Sequence, residues 1–369
     1  MREFIHETKY FSDVEGPYSL NDNALEVSSL LIPNGHKFFL QLSAFDDFLV
    51  TIEKKPSYNS GCTLGLLLPF FKAFGATNNL LESISLKNIN LMPGAKDTLQ
   101  YLQEKMKCYL VSTSYEQHIH VFCRATGFPF ENTICTKLDL DNEKFELNGK
   151  ESDWLKKRAE EIVSLPKLKI PLNAKSRDEL PDDVLSSVER LDQIFWVEME
   201  NEYSTSFELL NSVNTIGGKK KEQTILERTS DASKTIFTGD SITDRDALRR
   251  VRKEGGLAVS VNGDMYAVKE AEIGCIIDNT ILISVIVDAF LNSGKEAVQD
   301  LVHNWNYHSL RKAKDDLQIN LELINKLTSL YPEKLPELVI LTDENREEFG
   351  KKSSNFGKKL RDGKVHGKK

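Results

Sequence analysis

Short apolar runs that end in small or polar residues recur along this chain and predict the strands of a sheet. Three of them share one pattern, in which a buried strand is followed at once by polar side chains: Tyr10–Asp13, Tyr109–Ser112 and Thr235–Asp240. A helical pattern follows the second and third runs, as in α/β proteins with a parallel sheet. Further short strands are predicted at Thr133–Thr136, Gly256–Val261 and Glu272–Ile277. The predicted fold class is therefore α/β, with a Rossmann-like parallel sheet.

Two long segments with helical periodicity interrupt the predicted sheet. In the first, apolar side chains recur at helical spacing, for example at Phe38, Leu42, Phe45 and Leu49. A hairpin is expected at Leu138–Leu147, just before the second segment. The domain prediction has a core from residues 1–17, 91–149 and 215–285, a helical cap from residues 18–90, and a second, mainly helical insert from residues 150–214.

The C-terminal part of the chain shows no grouping of catalytic side chains. Residues 286–345 carry helical periodicity and predict a helical extension. Residues 346–369 are basic, and from Lys351 onwards they contain seven lysines and one arginine but a single aspartate. This composition predicts a disordered tail.

Composition and charge narrow the range of partners. The chain has 369 residues, a net charge of -8 and a pI near 5.6, which disfavours nucleic-acid binding and favours a small-molecule partner. Five cysteines without CxxC spacing argue against zinc and for a reducing cytoplasm. The longest apolar run, Leu64–Phe71, contains Pro69 and is too short to span a bilayer, so no membrane association is expected.

Acidic residues follow two of the predicted strands. Asp13 and Glu15 come after the first, and Asp240 and Asp244 come after the one that begins near Thr235. Taken singly, each pair is also typical of a solvated turn or a helix N-cap. Since parallel strands end at one edge of a sheet, however, both pairs are expected at the same crevice. Their mutual repulsion would require a cation, and hard oxygen ligands suit Mg²⁺.

Two further groups are suited to binding an anion. Ser112 and Thr113 end the second predicted strand, where hydroxyls and helix amides can face a phosphate. Gly217–Gly218 precedes three lysines, Lys219–Lys221, at the start of a helical run. On their own, a serine cap and a solvated lysine triplet are the more common interpretations of such residues.

In order and local context, these groups resemble the four motifs of the haloacid dehalogenase superfamily. The resemblance spans about Tyr10 to Asp278, and the two inserts fall where that superfamily carries caps. The stretch that begins at Ser112 resembles the phosphoserine phosphatase branch. The sequence Asp13–Pro17 is similar to an archaeal group of predicted hydrolases, some of which carry the name energy-converting hydrogenase A subunit R.

The resemblance implies a magnesium-dependent phosphohydrolase that acts on a small phosphorylated metabolite. Asp13 would be the nucleophile that forms an aspartyl-phosphate, and Glu15 would be the general acid and then the general base. The metal residues would be Asp13, Asp240, Asp244 and Glu15, the last through its main-chain carbonyl, while Asp244 would also orient the motif lysine or a metal-bound water.

Phosphate binding would fall to Ser112, Thr113 and a lysine. Lys221 fits the motif spacing best, and Lys220 is the alternative. The sequence departs from the family pattern at Glu15, where aspartate is usual, so turnover depends on whether the longer side chain is correctly placed. His118 and His120 are interpreted as packing or surface residues.

Other functions share parts of this pattern. A non-catalytic assembly or regulatory subunit, associated with a hydrogenase, would keep the fold but would be expected to lose at least one motif residue. A phosphomutase would use the same residues and differ only in protecting the aspartyl-phosphate from water. A receiver switch is disfavoured by the large insert after Asp13 and by the acid at position 15.

Overall fold

A seven-stranded sheet forms the centre of the protein. The computed structural model describes residues 7–56, 58–171 and 174–363, and within them the strand order is β3-β2-β1-β4-β5-β6-β7. Six strands are parallel and β7 is antiparallel to its neighbour β6. The predicted α/β class with a Rossmann-like sheet is confirmed. The strands are β1 (Lys9–Ser12), β2 (Lys107–Tyr115), β3 (Thr133–Thr136), β4 (Thr235–Gly239), β5 (Leu257–Val261), β6 (Ile273–Ile276) and β7 (Glu337–Ile340).

The central strand β1 is covered by apolar side chains on both faces. Tyr10 points into one hydrophobic core and its neighbour Phe11 into another, because successive side chains of a strand alternate. Both are completely buried. A sheet covered on both faces is the usual setting for parallel strands, and it leaves the carboxyl edge as the open side.

The strand register aligns the ends that carry polar residues. Ser12 of β1 pairs with Leu110 of β2 and with Thr238 of β4. Asp13 and the residues that follow β4 therefore lie next to each other at the carboxyl edge. The second strand is longer than predicted and continues to Tyr115, which pairs with Thr136 after an irregularity in the register. Ser112 accordingly lies inside β2 and not beyond its end.

The residues between β1 and β2 form five helices that are joined by loops. The two ends of the segment meet, since Leu20 N donates to the Asn90 carbonyl at 2.8 Å. Gly94, with φ +82°, precedes the first helix after it. The helices are α1 (Asn23–Leu31), α2 (Gly35–Thr51), α3 (Thr63–Ala73), α4 (Asn78–Asn88), α5 (Ala95–Lys105) and, after β2, α6 (Glu116–Thr126).

The expected hairpin at Leu138–Leu147 is wrong. These residues form a loop with a short 3₁₀ turn at Glu143–Phe145. Leu138, Leu140 and Phe145 are all buried in the core of the helical inserts, so they do not alternate between the two faces of a ribbon. Asn78 at the start of α4 also holds the loop, because its side-chain amide donates to Asp139 at 2.8 Å.

The second insert packs on the first. Phe195 stacks on Phe45 with the ring centroids 6.0 Å apart and meets Phe70 edge to face at the same distance. Residues of both inserts thus share one hydrophobic core, and the two packed inserts are called the cap below. The helices of the second insert are α7 (Gly149–Ser164), α8 (Asp182–Gln193), α9 (Met199–Glu202) and α10 (Ser204–Leu210), with a π-helical turn at Ile194–Glu198.

In the described residues no helix has both the length and the apolar content that crossing a bilayer requires.

The remaining helices cover the sheet. The helix α14 changes direction at Gly294, where φ is +80°. The set comprises α11 (Lys219–Arg228), α12 (Arg245–Lys253), α13 (Met265–Glu270), α14 (Ile281–His303), α15 (Tyr307–Asp316), α16 (Leu321–Leu330) and α17 (Arg346–Arg361).

Two predictions for the C-terminal part are corrected by the structure. The extension 286–345 is not purely helical, since β7 closes the edge of the sheet beside β6. The stretch 346–361 of the predicted tail is the helix α17, because Phe349 and Leu360 bury apolar side chains against the core. Residues 1–6 of the predicted core and 364–369 of the predicted tail lie outside the described residues.

Candidate active site

A cavity of about 280 Å³ lies between the carboxyl edge of the sheet and the cap. Asp13 and Asp240 line it from the sheet. Phe39, Ser43 and Asp46 of α2 line it from the cap. Acidic residues therefore reach the cavity both from the edge of the sheet and from the cap, which encloses the space above the sheet.

Asp13 is held in one orientation directly after β1. Its main-chain N–H donates to the Thr238 carbonyl of β4 at 2.9 Å. Its Oδ1 accepts from Val14 N at 2.7 Å, and its Oδ2 accepts from Lys221 Nζ at 2.5 Å. Burial raises the pKa of Asp13 to about 7, against the lowering effect of the Lys221 ammonium. A bound cation would favour the ionised form further.

Lys221 lies in the first turn of α11 and is completely buried. Its Nζ also donates to Asp244 Oδ1 at 2.8 Å. Burial opposes the charge of this lysine, yet the two neighbouring carboxylates together raise the pKa of Lys221 above its ordinary value. Lys220, the alternative, is half-buried and lines a different cavity. The structure thus places Lys221 next to Asp13.

Asp244 connects Lys221 to the loop after β4. Its Oδ2 accepts from the main-chain N–H groups of Asp240 at 2.9 Å and Ser241 at 3.1 Å. Gly239 is required at the end of the strand, since an added Cβ would lie 2.5 Å from Asp244 Cγ. Both carboxylate oxygens of Asp244 are therefore engaged, which suits an orienting role.

Three buried carboxylates form a group that can hold a metal ion. Asp13, Asp240 and Asp244 each offer an oxygen, and these oxygens all lie within 4.8 Å of one another. Burial raises the pKa of Asp240 well above its ordinary value, and the Asp244 and Asp13 carboxylates add to this increase. A divalent cation between Asp13 and Asp240 would relieve the repulsion, so the donor set fits a hard cation.

A glycine allows the loop after β1 to approach this group. Gly16 has φ +96°, and a Cβ added there would collide with the Asp240 carboxylate. Residues with side chains adopt such a positive φ only at an energetic cost. The Asp13–Pro17 sequence therefore has a steric reason for its glycine.

Glu15 points away from the three carboxylates and towards the cap. Its Oε1 accepts from Asn23 N, at the start of α1, at 2.8 Å. Burial, followed by the Asp22 carboxylate, raises the pKa of Glu15 to about 8. This increase favours the protonated form of Glu15, which is able to donate a proton.

The predicted anion-binding segment lines the cavity only in part. Thr113 and Ser114 form the wall, and the Thr113 hydroxyl donates to the Ile216 carbonyl at 2.9 Å. Ser112 is buried, and its Oγ accepts from Ser114 N at 3.2 Å. Ser112 therefore stabilises the backbone at the end of β2, and Ser114 is a cavity residue outside the predicted set.

Two functional candidates were missed in the sequence. Arg361, at the end of α17, donates from Nη2 to Asp240 Oδ2 at 2.6 Å. The helical spacing of Phe349, Ser353, Phe356 and Leu360 is the signal that predicts this helix. His118 is completely buried with its Nε2 3.7 Å from Glu15 Oε1, and neither ring nitrogen has a hydrogen-bond partner among the described residues.

Comparisons with known proteins identify the fold but not a family. Together the sheet and its acidic edge define an α/β protein with a Rossmann-like fold. No family model matches the chain, and no curated protein matches it. It is similar to the structure of gene product AF1437 from Archaeoglobus fulgidus, with a TM-score of 0.75 and 23% identity over 98% of each chain.

Proposed function

We propose that this chain is a magnesium-dependent phosphohydrolase of the haloacid dehalogenase type, which cleaves a small phosphomonoester through an aspartyl-phosphate at Asp13. The supporting observation is that Asp13, Lys221, Asp240 and Asp244 come from three separate segments and meet within hydrogen-bonding distance or close to it. If these residues served only as turns and helix caps, their side chains would not need to lie together. Burying these charges is costly, and functional sites are where such costs are usually found.

The first half of the reaction uses Asp13 and Glu15. A carboxylate oxygen of Asp13 forms a bond to phosphorus, and the bond from phosphorus to the leaving oxygen breaks. Glu15, whose raised pKa favours the protonated form, gives its proton to that oxygen. The Lys221 ammonium, beside Asp13 Oδ2, stabilises the charge on the transferring group.

The second half regenerates the enzyme. Glu15, now ionised, takes a proton from water, and the water oxygen attacks phosphorus. The bond from phosphorus to Asp13 breaks, inorganic phosphate is released, and Glu15 is again protonated. Glu15 contacts the first residue of α1 through Asn23 N, so the position of the acid depends on the cap.

Magnesium would be held by the carboxylates of Asp13 and Asp240. The family resemblance adds the main-chain carbonyl of Glu15 as a further ligand. Asp244 would orient Lys221. Bound there, the ion neutralises charge on the phosphoryl oxygens and on the attacking carboxylate. The observation that supports a metal is that three buried carboxylates place oxygens within 4.8 Å of one another, as a set of ligands for a hard cation does.

The size and setting of the site favour a small substrate in a reducing compartment. A cavity of about 280 Å³ suits a small metabolite. The five cysteines, at positions that the structure describes, are all free thiols, which fits the cytoplasm. Both features belong to the proposal.

The test is a panel of phosphomonoesters assayed with the wild type, Asp13→Asn and Glu15→Gln, each with Mg²⁺ and with EDTA. We expect phosphate release that requires Mg²⁺ and Asp13. Full activity of Asp13→Asn, or an absence of metal-dependent activity on every substrate, would refute the proposal. Transfer of the phosphoryl group within a substrate, without phosphate release, would indicate a phosphomutase instead.

A further inference from the structure

Arg361 is a cation at the mouth of an otherwise acidic cavity. Seven carboxylates line the cavity, whereas Arg361 is the only lysine or arginine among the described residues that line it. A substrate with a second negative charge would be repelled there unless a cation received that charge. The acidic residues are Asp13, Glu15, Asp22, Asp46, Asp47, Asp240 and Asp264.

The fold holds Arg361 at this place. Gly357 lies one helical turn earlier in α17, and a Cβ added there would be 2.9 Å from the Asn262 carbonyl. A Cβ at Gly350 would collide with Met265. Small residues thus let α17 approach the loop after β5 and α13 closely, and Leu360 is buried beside the arginine. The position of Arg361 follows from a packed helix and not from a loose tail.

The guanidinium lies on the side of the site where a leaving group would sit. It pairs with Asp240, and the Asp22 and Glu15 side chains are close enough to influence its pKa, which is raised above the ordinary value. Glu15 is the residue that would protonate the leaving oxygen. The Arg361 side chain keeps 36% of its exposure, compared with 8% for Asp240, so the N–H groups that make no hydrogen bond to other described residues can reach a ligand.

We propose that Arg361 is a specificity-determining residue that binds a second anionic group, a carboxylate or a further phosphate, on the leaving-group side of the substrate. The inference rests on the proposed phosphohydrolase function. Guanidinium and either oxyanion match in charge and in their paired hydrogen-bonding geometry. The site would thus select phosphomonoesters that carry two negative groups over those that carry only the phosphoryl group.

The experiment compares substrates with and without the second anion in the presence of Mg²⁺. Phenyl phosphate supplies the neutral leaving group, a phosphorylated hydroxy acid supplies the carboxylate, and a sugar bisphosphate supplies the second phosphate. The enzymes are wild type, Arg361→Gln, Arg361→Lys and the control Lys359→Gln, which removes a positive charge from the exposed face of the same helix.

We expect the wild type to prefer one of the two substrates that carry a second anionic group. The preferred substrate then shows whether Arg361 binds a carboxylate or a phosphate. Arg361→Gln should lower kcat/KM for the preferred substrate about 10- to 100-fold more than for phenyl phosphate, because hydrogen bonds to a charged group are lost. The loss should appear mainly in KM. Arg361→Lys should lose part of this selectivity, because it keeps the charge without the planar fork. Lys359→Gln should keep the wild-type ratio.

Equal losses on all substrates would overturn the inference, because Arg361 would then act only on Asp240 or on the transferring phosphoryl group. A wild type without preference for a second anion would also overturn it. A wild type that is inactive on every substrate would refute the phosphohydrolase function itself, and the two failures are therefore distinct. If Arg361→Gln does not fold in a thermal melt, the Arg361→Lys ratio decides.

Discussion

The Lys221 ammonium lies 2.5 Å from the Asp13 carboxylate in the interior of the protein, where both side chains are shielded from water. Lys221 reaches Asp244 as well, so one cation compensates two buried carboxylates. Removing one partner of such a set leaves the others buried and uncompensated. Function and stability are therefore coupled at this lysine.

Replacing Lys221 with methionine should reduce both properties. The loss of a buried ion-pair partner costs about 3 to 5 kcal/mol of unfolding free energy. The loss of a charge that stabilises the transition state should lower kcat by about 100- to 1,000-fold. Chemical denaturation and steady-state assays with Mg²⁺ measure the two effects.

Lys220→Met is the matched control, since it removes the same charge one residue away. Lys220 is half-buried and lines a separate cavity, so its loss should change stability by less than about 0.5 kcal/mol. Activity should stay near that of the wild type. Equal effects of the two substitutions would contradict the assignment of Lys221.

The sheet was predictable because its strands carry a local signal. Apolar runs such as Tyr10–Ser12 and Thr235–Gly239 are short, β-branched or aromatic, and end in polar residues. The order of the acidic and lysine groups along the chain then indicated which ends meet. Asp13, Lys221 and Asp244 do lie together in the structure.

The parts that were not predictable depend on contacts between distant segments. Helical periodicity shows that one face of a helix is apolar but not which segment packs on that face. The sequence therefore does not indicate that Phe195 of the second insert stacks on Phe45 of the first. The basic composition after Lys351 concealed the helical spacing that places Arg361 at the site. His118 was interpreted as a packing residue, and no sequence feature indicates that it lies beside Glu15.

The pH dependence should reveal Glu15 as the general acid. Its pKa is raised to about 8, so it is protonated below that value and loses its proton as the pH rises through it. For an alkyl phosphate, whose leaving oxygen requires a proton, kcat/KM should therefore fall above about pH 8. Rate profiles between about pH 6 and about pH 10 at saturating Mg²⁺ measure this fall.

Glu15→Gln supplies the comparison. The amide does not titrate, so the alkaline fall should disappear, and turnover should drop by about 100- to 10,000-fold. With an activated aryl phosphate the first step needs no acid, and the variant should accumulate phosphate on Asp13, visible by intact mass. An unchanged alkaline fall in Glu15→Gln would assign the titration to another group.

Magnesium should stabilise the folded protein through Asp240. A ligand at 100 times its Kd adds about 2.7 kcal/mol to the unfolding free energy, so the melting temperature should rise on addition of Mg²⁺. Asp240→Asn should abolish most of this rise. Asp47→Asn removes a carboxylate from the same cavity but outside the three-carboxylate group, and it should keep the rise. If both variants respond as the wild type does, the cation binds elsewhere.

A methyl group at Gly16 should disable the site. Alanine at φ +96° is strained by about 1 to 2 kcal/mol, and its Cβ would also push the Asp240 carboxylate aside. A displacement of about 1 Å can lower activity about 100-fold. Gly127→Ala is the control, because φ is +78° there and nothing lies within 4 Å of an added Cβ. It should show the strain in a thermal melt but keep the activity.

Replacing His118 with leucine should raise the stability of the protein and lower its activity. Both of its ring nitrogens are buried and have no hydrogen bond to the described part of the chain, and burial lowers the pKa of the imidazole to about 4, which favours the neutral form. An unsatisfied buried polar group costs about 1 to 3 kcal/mol, and His118→Leu should remove that cost and raise the melting temperature. Natural proteins tolerate such costs chiefly at functional sites. Because Nε2 lies 3.7 Å from Glu15 Oε1, the same substitution should lower kcat by leaving the acid less well oriented.

His118→Gln separates orientation from simple packing. Its amide retains a polar group near Glu15 and should recover part of the kcat that His118→Leu loses, with less gain in melting temperature. A histidine that serves only to fill the core would give the opposite ranking: His118→Leu would keep full activity, and His118→Gln would lose stability without any advantage in rate. The two variants, assayed side by side at about pH 7 and saturating Mg²⁺, decide whether the neutral imidazole positions Glu15, the longer acid that stands where the haloacid dehalogenase motif has aspartate.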